Sequence, residues 1–587
     1  MKKYDLIVVG SGAGMIIVSR GVRAGMKVAL VDHGPLGGTC LNNGCIPSKV
    51  LIYSADVIRT LKAAKAVGVE ARVEKIDFDR IMRRMHTVVD DGRRGMERSV
   101  EEAENLDWYR GWGEFVSDLE IRVGEETIAA PKIFIASGAR PSVPSIPGLV
   151  EAGYLDNVSV MKLERLPKSL IILGGGYIGC EYGHFFSAMG TEVTIIGRSR
   201  RLLSNEDPEI SEIVEGRLSE HVNLKTGHEA LKVEWEEGKK VVSARDLDTG
   251  EMREFAAEEV MVALGRRPNT DILKPEKTGV EVDRHGWIVV DDYLETTRPG
   301  IWAVGDAIGK DMFRHAANRE ARIAWDNAFG EEGTKDKEKV KVDRHAVPHA
   351  VFTYPQVGAV GMTEAEAKAS GYKILVGRAR YGDVTKGYAM AEEESLVKVV
   401  VNREDGRILG CQIVGTEAAD LAQQVVYLMN AGYQDYGPVA RSMEAMEGIE
   451  NDDGGPFGAV IVQDGVVISR AHNEVLKRND PTAHAEILAI REASAILGRY
   501  DLSTCEIYST SEPCPMCFAA IFWARIKRLV FGTTREDVAE IGFDDSLIYD
   551  VIRGEAELEQ MELVNLDREG CREVLEEWRR KPGRRVY

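Results

Sequence analysis

The chain has 587 residues, of which 44% are hydrophobic and 29% charged, and its formal net charge is −20. This length predicts several domains, because single hydrophobic cores stop growing at about 250–300 residues. The acidic surplus argues against nucleic acid as a partner, since phosphate binding needs a basic surface. No run of about 18 apolar residues is present, which argues against a membrane span. Eight cysteines without a secretion signal predict a cytoplasmic protein whose paired cysteines serve redox or metal chemistry.

The chain begins with a nucleotide-binding pattern. An apolar strand at residues 4–9 is followed by three glycines that open a helix: Gly10, Gly12 and Gly14. A helix N-terminus after such a turn binds a pyrophosphate, and an acid about 20 residues further on binds ribose hydroxyls. Asp32, at the end of the next strand, is the predicted acid. Met15 stands where the motif has its third glycine, so we expect looser packing of this helix on its strand.

Two cysteines follow in the segment GGTCLNNGCIPSK, residues 37–49. Cys40 and Cys45 have C-x4-C spacing at the start of a helix, where they can close a disulfide that exchanges electrons with a cofactor. An isolated pair with this spacing is more often incidental. The flanking Gly-Gly-Thr and Pro-Ser-Lys favour a redox-active pair.

A second nucleotide-binding pattern starts at Ser169. Its glycines occupy all three positions of the motif: Gly174, Gly176 and Gly179. Gly197 stands where an acid would bind a free ribose 2′-hydroxyl, and Arg198 and Arg200 follow it. Because arginines pair with a 2′-phosphate, this unit is predicted to prefer NADP to NAD; the alternative is a solvated basic turn. Two such units imply two dinucleotides, or one dinucleotide and one flavin.

On these motifs, residues 1–442 resemble the pyridine nucleotide–disulfide oxidoreductases, close to dihydrolipoamide dehydrogenase and mercuric reductase. The resemblance implies FAD bound by residues 1–150 and 276–340, and NAD(P) bound by residues 151–275. It implies a dimerisation domain at residues 341–442 and therefore a homodimer. The substrate of this half would be a disulfide or a metal ion.

The same resemblance implies roles for individual side chains. Cys45 would contact the isoalloxazine ring of the flavin, and Cys40 would exchange with the substrate. Lys49 would lie near flavin N5, paired with Glu181. The other flavin-binding positions of the family correspond here to Gly138 and Asp306.

The family pattern breaks before this half is complete. Lipoamide dehydrogenases end with a His-Pro and a downstream Glu, the acid–base pair for thiol exchange. Here no histidine lies between His349 and His472, and the sequence passes into a different domain near Met443. We therefore expect a C-terminally truncated dimerisation domain, with residues 433–450 shared by both halves. The flavoprotein half should bind its cofactors but reduce lipoamide poorly or not at all.

Residues 443–587 contain a metal-binding pattern. His484 and Glu486 form an H-x-E motif, and Cys514 and Cys517 lie in a later P-C-x-x-C motif. One His and two Cys leave the fourth zinc position to water, which makes a site catalytic. The combination is the signature of zinc deaminases, in which the glutamate moves protons and does not bind zinc. Half of a structural zinc site and a dithiol redox motif are weaker alternatives, because neither needs the H-x-E partner.

Further segments make residues 443–587 resemble a guanine deaminase of the cytidine-deaminase fold: GGPFGAVIVQDG (454–465), NDPTAHAE (479–486) and GFDDSLIY (542–549). The resemblance implies that Asn473 hydrogen-bonds the purine. It implies that Asp545, with Asp544, reads the 2-amino side of guanine and that Asp545 moves protons. Tyr587 would close over the active site. A solvated turn is the alternative interpretation of the two aspartates.

Transfer RNA adenosine deaminases share the zinc motif and are the main rival. They need a basic face, whereas residues 443–587 carry 17 basic and 28 acidic side chains, a net charge of −11. This charge favours a small base, and guanine conversion to xanthine and ammonia is the predicted reaction.

The sequence thus predicts an α/β protein with two Rossmann-like domains for FAD and NAD(P) and an α+β interface domain. A three-layer α/β/α deaminase domain is fused to them. Three hypotheses stay open for the whole chain. In the first, both halves are enzymes. In the second, only the deaminase is active, on guanine or on a cytosine- or adenosine-type substrate, and the flavoprotein half is a cofactor-binding or dimerisation scaffold. In the third, neither half folds completely.

Overall fold

The computed structural model describes residues 1–330, 339–431, 444–445, 448–449, 451–464, 466–557, 562 and 564–584. The chain divides into two compact units, residues 1–433 and 434–587. Most of the junction at 433–450, where we expect truncation, lies outside the described residues. Among the helices that are described, none is long and apolar enough to cross a membrane.

The first nucleotide-binding pattern folds as a five-stranded parallel sheet. Its strands, in spatial order, are Ile301–Ala303, Ile133–Ile135, Leu6–Val9, Val28–Asp32 and Leu106–Arg110. The central strand Leu6–Val9 is buried along its whole length, which explains its continuous apolar run. A second sheet contains Lys2–Lys3, Glu126–Ala129, Glu120–Val123 and Gly113–Ser117. A strand from beyond residue 300 thus pairs with strands from the N-terminal 150 residues.

The second nucleotide-binding pattern also folds as a parallel sheet. Its four strands, in spatial order, are Asn223–Thr226, Glu192–Gly197, Ser169–Leu173 and Glu259–Val262. An antiparallel sheet of His228–Glu236, Lys239–Asp246 and Met252–Ala257 accompanies it. A short pair, Ala139–Pro141 with Arg266–Pro268, completes this part of the unit. The two parallel sheets confirm the predicted pair of Rossmann-like folds.

An antiparallel sheet follows in the last part of the first unit. Its strands, in spatial order, are Pro348–Val351, Val357–Gly361, Ile408–Val414, Leu396–Asn402 and Ile374–Arg380. Helix Ala418–Asn430 packs on this sheet through Ala422, Val426 and Met429. This mixture of a helix and an antiparallel sheet is the α+β interface domain that the sequence predicts.

The α-helices of the first unit connect these strands. They are Gly14–Arg23, Gly38–Asn42, Cys45–Ala63, Phe78–Glu101, Leu149–Ala152, Tyr177–Met189, Pro208–Ser219, Thr270–Leu273, Arg314–Phe329, Glu364–Ala369, Thr385–Ala389 and Ala418–Asn430. Helices Gly14–Arg23 and Tyr177–Met189 each follow the first strand of a parallel sheet, so their N-termini lie at its carboxyl edge.

The second unit has one four-stranded sheet. In spatial order its strands are Val466–His472, Gly458–Gln463, Cys505–Ser511 and Arg528–Thr533, and only the last pair is parallel. Its described helices of four residues or more are Val475–Arg478, Ala485–Leu497, Pro515–Trp523, Arg535–Glu540, Ser546–Arg553 and Arg568–Arg580. Helix Ala485–Leu497 packs on the sheet through Leu488, Ala489 and Ala493.

One packing expectation is wrong. Met15 does not loosen the first nucleotide-binding helix, because the close approach is made one residue earlier. A Cβ atom on Gly14 would lie 2.8 Å from Val8 Cγ1 and 3.2 Å from Ala136 Cβ. A Cβ on Gly21, two turns later, would lie 2.9 Å from Leu6 Cδ2. The helix therefore packs tightly on its strand, and the position of the glycine has simply shifted.

Candidate redox site and candidate metal centre

A cavity of about 500 Å³ lies in the first unit. It brings together the first nucleotide-binding motif and the cysteine pair: Gly10, Gly12, Asp32, Cys40, Cys45, Lys49, Gly138, Glu181 and Asp306. These residues come from segments that are far apart in sequence, and all of them were singled out from sequence. A cavity of this size fits a large cofactor.

The glycine turn and Asp32 are held by backbone hydrogen bonds. Gly10 has φ +99°, and a Cβ there would lie 2.2 Å from the Ala136 carbonyl oxygen, so only glycine fits. The backbone N–H groups of Ser11 and Gly34 donate to the Asp32 carboxylate at 2.7 and 2.9 Å. Each Asp32 oxygen accepts one of these bonds, and the carboxylate lies at the cavity wall, where an acid can bind ribose hydroxyls.

The far wall of the cavity carries Gly138 and Asp306. Burial raises the pKa of the Asp306 carboxyl, and Arg266, whose Nε lies 3.4 Å from Oδ2, opposes that rise. Ser137 Oγ is buried in this wall without a hydrogen-bond partner among the described residues. A buried hydroxyl left without a partner is costly, and a ligand with polar atoms would satisfy it. The lining thus fits FAD, as the sequence implies.

The two cysteines stand at successive helix starts. Cys40 lies in helix Gly38–Asn42, and Cys45 is the first residue of helix Cys45–Ala63. A hydrogen bond between the two thiols raises the pKa of Cys40 and lowers that of Cys45 to about 6; Lys49 also lowers the latter. Both cysteines are in the free state in this structure. Cys45 is therefore the more acidic thiol of the pair.

Lys49 is held beside Cys45 by a buried carboxylate. Its Nζ donates to both oxygens of Glu181 at 2.8 Å, and Glu181 is 7% exposed. The backbone N–H of Phe352 donates to the same carboxylate at 3.0 Å, and the ammonium lies 4.8 Å from the centre of the Phe352 ring. The predicted Lys49–Glu181 pair is present, and Phe352, which sequence reasoning missed, completes it.

The second glycine motif has the shape that a dinucleotide needs. A Cβ on Gly174 would lie 2.3 Å from the Ala263 carbonyl oxygen, and one on Gly179 would lie 1.9 Å from the Gly174 carbonyl oxygen. Around Gly176, between them, no described residue other than its two chain neighbours has an atom within 4 Å of such a Cβ. The first and third glycines therefore permit tight packing, and the second leaves open space for a pyrophosphate.

The two arginines of this unit are exposed and already paired. Arg198 is 75% exposed, with Nε 3.6 Å from Glu229 Oε1. Arg200 is 78% exposed and forms an ion pair with Asp248. Exposed pairs of this kind are weak, so a ligand phosphate can displace the carboxylates. The arrangement is compatible with both the phosphate site and the solvated turn.

Sequence reasoning missed a half-buried cluster around Tyr177, which follows Gly176 and lines the cavity. Tyr177 Oη donates to Glu206 Oε1 at 2.7 Å, and His349 Nε2 lies 2.8 Å from the same oxygen. The rings of Tyr177 and His349 stack 5.6 Å apart. Burial, followed by the charge of Glu206, raises the pKa of Tyr177. The three residues are distant in sequence, and no motif signals their contact.

In the second unit, the predicted metal ligands converge. His484 Nδ1 lies 3.5 Å from Cys514 Sγ and 3.5 Å from Cys517 Sγ. The three ligand atoms all lie within 4.8 Å of one another. With Zn–N of about 2.0–2.1 Å and Zn–S of about 2.3 Å, a tetrahedral site has N···S edges of roughly 3.5 Å. The observed distances fit that edge, so these three side chains can hold a zinc ion.

Glu486 is buried beside these ligands. It is 4% exposed, and Ser509 Oγ donates to its Oε1 at 2.8 Å. Burial raises the pKa of its carboxyl, and its side chain also contacts the Cys517 thiol. One carboxylate oxygen is fixed by Ser509, while the side chain reaches the metal ligands. A residue placed in this way can hold a proton and move it.

Asn473 and Asp545 belong to neighbouring segments. The Asn473 backbone N–H donates to the Phe457 carbonyl at 2.9 Å, and the Phe457 ring packs edge-on against Phe543 at 5.1 Å. Burial and the nearby Cys514 raise the pKa of Asp545. Asn473 Oδ1 accepts from the Val475 N–H at 3.1 Å, which fixes the orientation of its amide. Asp545 therefore lies near a zinc ligand. Asn473 is bonded to Phe457, which packs against Phe543, two residues before Asp545.

The other two residues predicted to bind the substrate are Asp544 and Tyr587. Asp544 is exposed and accepts a hydrogen bond from the Ser546 N–H at 2.9 Å, at the start of helix Ser546–Arg553. This contact fits a turn-forming aspartate, so the alternative of a solvated turn suits Asp544 better than Asp545. Tyr587 lies outside the described residues.

Comparison with known proteins matches three family models. Residues 4–321 match the pyridine nucleotide-disulphide oxidoreductases, and residues 347–440 match the dimerisation domain of the same family. Residues 436–533 match the zinc-binding region of cytidine and deoxycytidylate deaminases. Fold and site thus define a flavoprotein disulfide reductase domain fused to a zinc-binding deaminase domain. The chain belongs to the pyridine nucleotide-disulphide oxidoreductase family.

Individual relatives cover the reductase part. Mycothione reductase of Mycobacterium tuberculosis is 35% identical over 442 residues, covering 74% of this chain and 94% of the relative. Mercuric reductase of Staphylococcus aureus is 34% identical over 422 residues, covering 71% and 75%. A solved structure, the Cu(II) complex of the HOCl-induced flavoprotein disulfide reductase RclA from Escherichia coli, is 31% identical. Its TM-score is 0.64, with 74% of this chain and 94% of that chain covered.

Proposed function

We propose that this chain is a bifunctional enzyme: an FAD-dependent NAD(P)H:disulfide oxidoreductase joined to a zinc-dependent guanine deaminase. The observation that carries the deaminase proposal is the pairing of three converging zinc ligands with the buried carboxylate of Glu486. A purely structural zinc site would need no such carboxylate. Guanine and water would yield xanthine and ammonia.

In this proposal His484, Cys514 and Cys517 hold the zinc. When bound, the ion supplies an activated water at neutral pH. Glu486 takes a proton from the water on the carboxylate oxygen that Ser509 does not hold and delivers it to a ring nitrogen. It then carries a second proton, from the hydroxyl group added to the ring carbon, to the leaving amino group. Ser509, which donates to the other oxygen, keeps the carboxylate turned toward the ligands.

Guanine is favoured over other bases by two polar side chains. Asn473 can donate from its amide nitrogen, because Val475 occupies its oxygen. Asp545 can accept from the 2-amino group of guanine, and we assign it this role in preference to the exposed Asp544. This amino group is the one that leaves as ammonia, so Asp545 would lie beside the reacting carbon. The net charge of −11 over residues 443–587 disfavours an RNA substrate.

A substrate panel tests the proposal. Ammonia release from guanine, adenine, adenosine, cytosine and cytidine is measured with the purified full-length chain. We expect guanine to be the fastest substrate and Asp545→Asn to lower kcat/KM for guanine by at least about tenfold, with Asp544→Asn as the matched control close to wild type. Release from cytosine or adenosine without release from guanine would contradict the substrate assignment.

For the reductase half, we propose that the cavity binds FAD, with Asp32 at the ribose, Asp306 at the ribityl chain and Cys45 at the isoalloxazine. FAD, when bound, passes electrons from NAD(P)H to the cysteine pair. Cys40 would exchange with the substrate, a small disulfide or a metal ion. The relatives named mercuric reductase and RclA in its Cu(II) complex support including metal ions.

We propose NADPH as the preferred nucleotide, bound through Gly174, Gly176 and Gly179, with Arg198 and Arg200 pairing its 2′-phosphate. Replacing both arginines by Gln should raise KM for NADPH by about tenfold or more and leave KM for NADH within about twofold. A wild-type KM lower for NADH than for NADPH would overturn this preference.

A second candidate keeps the flavoprotein half as a cofactor-binding scaffold. It is favoured by the absence of a histidine between His349 and His472, so that the family's thiol base is missing. In either case we propose a homodimer, on the match to the dimerisation domain, and a cytoplasmic location, on the cysteine usage alone. Bound flavin that NADPH reduces, with a thiolate–flavin charge-transfer band, would favour the enzyme; flavin that NADPH leaves oxidised would favour the scaffold.

A further inference from the structure

A second cluster of titratable side chains lies in the deaminase unit, apart from the zinc ligands. Asp453, His472 and Glu474 are buried, and their ligand atoms lie within 4.8 Å of one another. His472 Nε2 is 2.8 Å from Asp453 Oδ2. Such a set resembles a cation site, and it flanks Asn473 on both sides in sequence.

The position of a cation is already filled by a side chain of the protein. Lys477 Nζ donates to Asp453 Oδ2 at 3.0 Å and to Glu474 Oε1 at 2.9 Å. Arg478 pairs with the remaining oxygen of Glu474. Lys477, followed by His472, lowers the pKa of Asp453, which keeps this carboxylate charged. The cluster is therefore an ion-pair network of the protein's own side chains and not a second metal centre.

The network holds the segment that contains Asn473 at several points. The Asp453 carbonyl accepts hydrogen bonds from the backbone N–H groups of Leu476 and Lys477, both at 3.0 Å. The next residue, Gly454, packs so closely that a Cβ there would lie 2.1 Å from Asn473 Oδ1. Any displacement of residue 453 is thus transmitted directly to the Asn473 amide.

The same segment is tied to the zinc loop. The Glu474 N–H donates to the Ala483 carbonyl at 3.0 Å, and Ala483 precedes the ligand His484. The distance between the base-binding amide and the zinc ligands therefore depends on a chain of fixed contacts that starts at the Asp453–His472 pair.

We propose that Asp453, His472 and Lys477 are positioning residues: they act through Asn473 to set the place of the purine relative to the zinc. The proposal rests on the proposed function, in which Asn473 binds the base. These side chains contact one another and Glu474, which follows Asn473, and they take no part in the chemical step. Loosening them should weaken base binding more than it slows the reaction.

The test uses the full-length zinc-loaded chain and separates KM from kcat. His472→Ala should raise KM for guanine by at least about tenfold and lower kcat by less than about threefold, with zinc content unchanged. His472→Gln, whose amide can occupy the place of Nε2, should recover KM to within about threefold of wild type. Arg528→Gln, in the exposed Arg528–Glu506 pair, is the matched control and should leave both constants unchanged.

A double-substitution cycle asks whether the effect passes through Asn473. In an Asn473→Ser background, His472→Ala should raise KM by less than about twofold. If His472→Ala does not fold, KM and kcat are measured instead for Asp453→Asn, which keeps the size and shape of the side chain, and the same changes are expected. The proposal would be overturned if His472→Ala left KM unchanged, or if the loss were confined to kcat or to zinc content. It would also be overturned if the effects of His472→Ala and Asn473→Ser on KM were fully additive. If wild type releases no ammonia from guanine, the proposed substrate is wrong, and the same KM comparison is made with the base it does deaminate.

Discussion

The thiol–thiol contact in the redox pair gives a quantitative prediction. The Cys40 thiol is the largest cause of the lowered pKa of Cys45, which lies at about 6. Removing this donor with Cys40→Ala costs one charge-assisted hydrogen bond, about 1.5–3 kcal/mol, or roughly a 10- to 100-fold loss in the ionisation equilibrium. At pH 6 about half of Cys45 should be thiolate in the reduced wild type, and less than about a tenth in the variant.

The assay is the rate of alkylation of Cys45 by iodoacetamide in the reduced holoenzyme between pH 4 and 9, located by peptide mass spectrometry. Cys40→Ser is the matched control, because its hydroxyl keeps a donor beside the thiolate. We expect the midpoint of the profile to move to higher pH in Cys40→Ala and to move less in Cys40→Ser. Profiles of wild type and Cys40→Ala that coincide would refute the reasoning, as would equal displacements in the two variants.

Three further predictions concern packing and charge. Gly14→Ala would press its Cβ against Val8 and should destabilise the first unit by about 1–3 kcal/mol, with less FAD per purified chain. Gly179→Ala would collide with the Gly174 carbonyl; the chain should keep FAD but lose reduction of the flavin by NADPH, and retained reduction would contradict the motif assignment. Arg378, followed by buried Lys398, lowers the pKa of Glu209 to about 2, and Lys368 and Lys398 lower that of Glu364 to about 2. Because both carboxylates are more acidic in the folded protein, their ion pairs stabilise the fold fully above about pH 4.5. This contribution to the free energy of unfolding is lost as the pH falls toward 2. Melting temperatures measured from pH 7 to 3 should therefore fall more steeply at the acid end in wild type than in Lys398→Met, and parallel curves would argue against the ion-pair cluster.

The sequence predicted the parts of both sites that depend on short motifs. The glycines at 10 and 174 adopt backbone conformations that few other residues reach, and zinc ligands need fixed residue types, so these features are visible in the chain itself. Contacts between distant segments could not be predicted in this way. The Tyr177–Glu206–His349 cluster and the Lys477–Asp453 ion pair arise only from tertiary packing.

Two expectations also depended on three-dimensional neighbours. The expectation of loose packing at Met15 failed because Gly14 supplies the close approach one residue early. Asp544 and Asp545 are adjacent and identical in type, yet only Asp545 is half-buried near Cys514, while Asp544 serves a turn. Adjacent residues in a turn point in different directions, and the sequence alone gives no direction.

We propose that the zinc-binding half is a catalytic guanine deaminase whose proton carrier is Glu486. The most direct measurement is zinc content and ammonia release from guanine, made together on wild type and Glu486→Gln. We expect about one zinc per chain in both proteins, and a kcat lower by about 10²–10⁴-fold in the variant. A variant that keeps its zinc and deaminates guanine at the wild-type rate would contradict it, as would a zinc-loaded wild type that releases no ammonia from guanine.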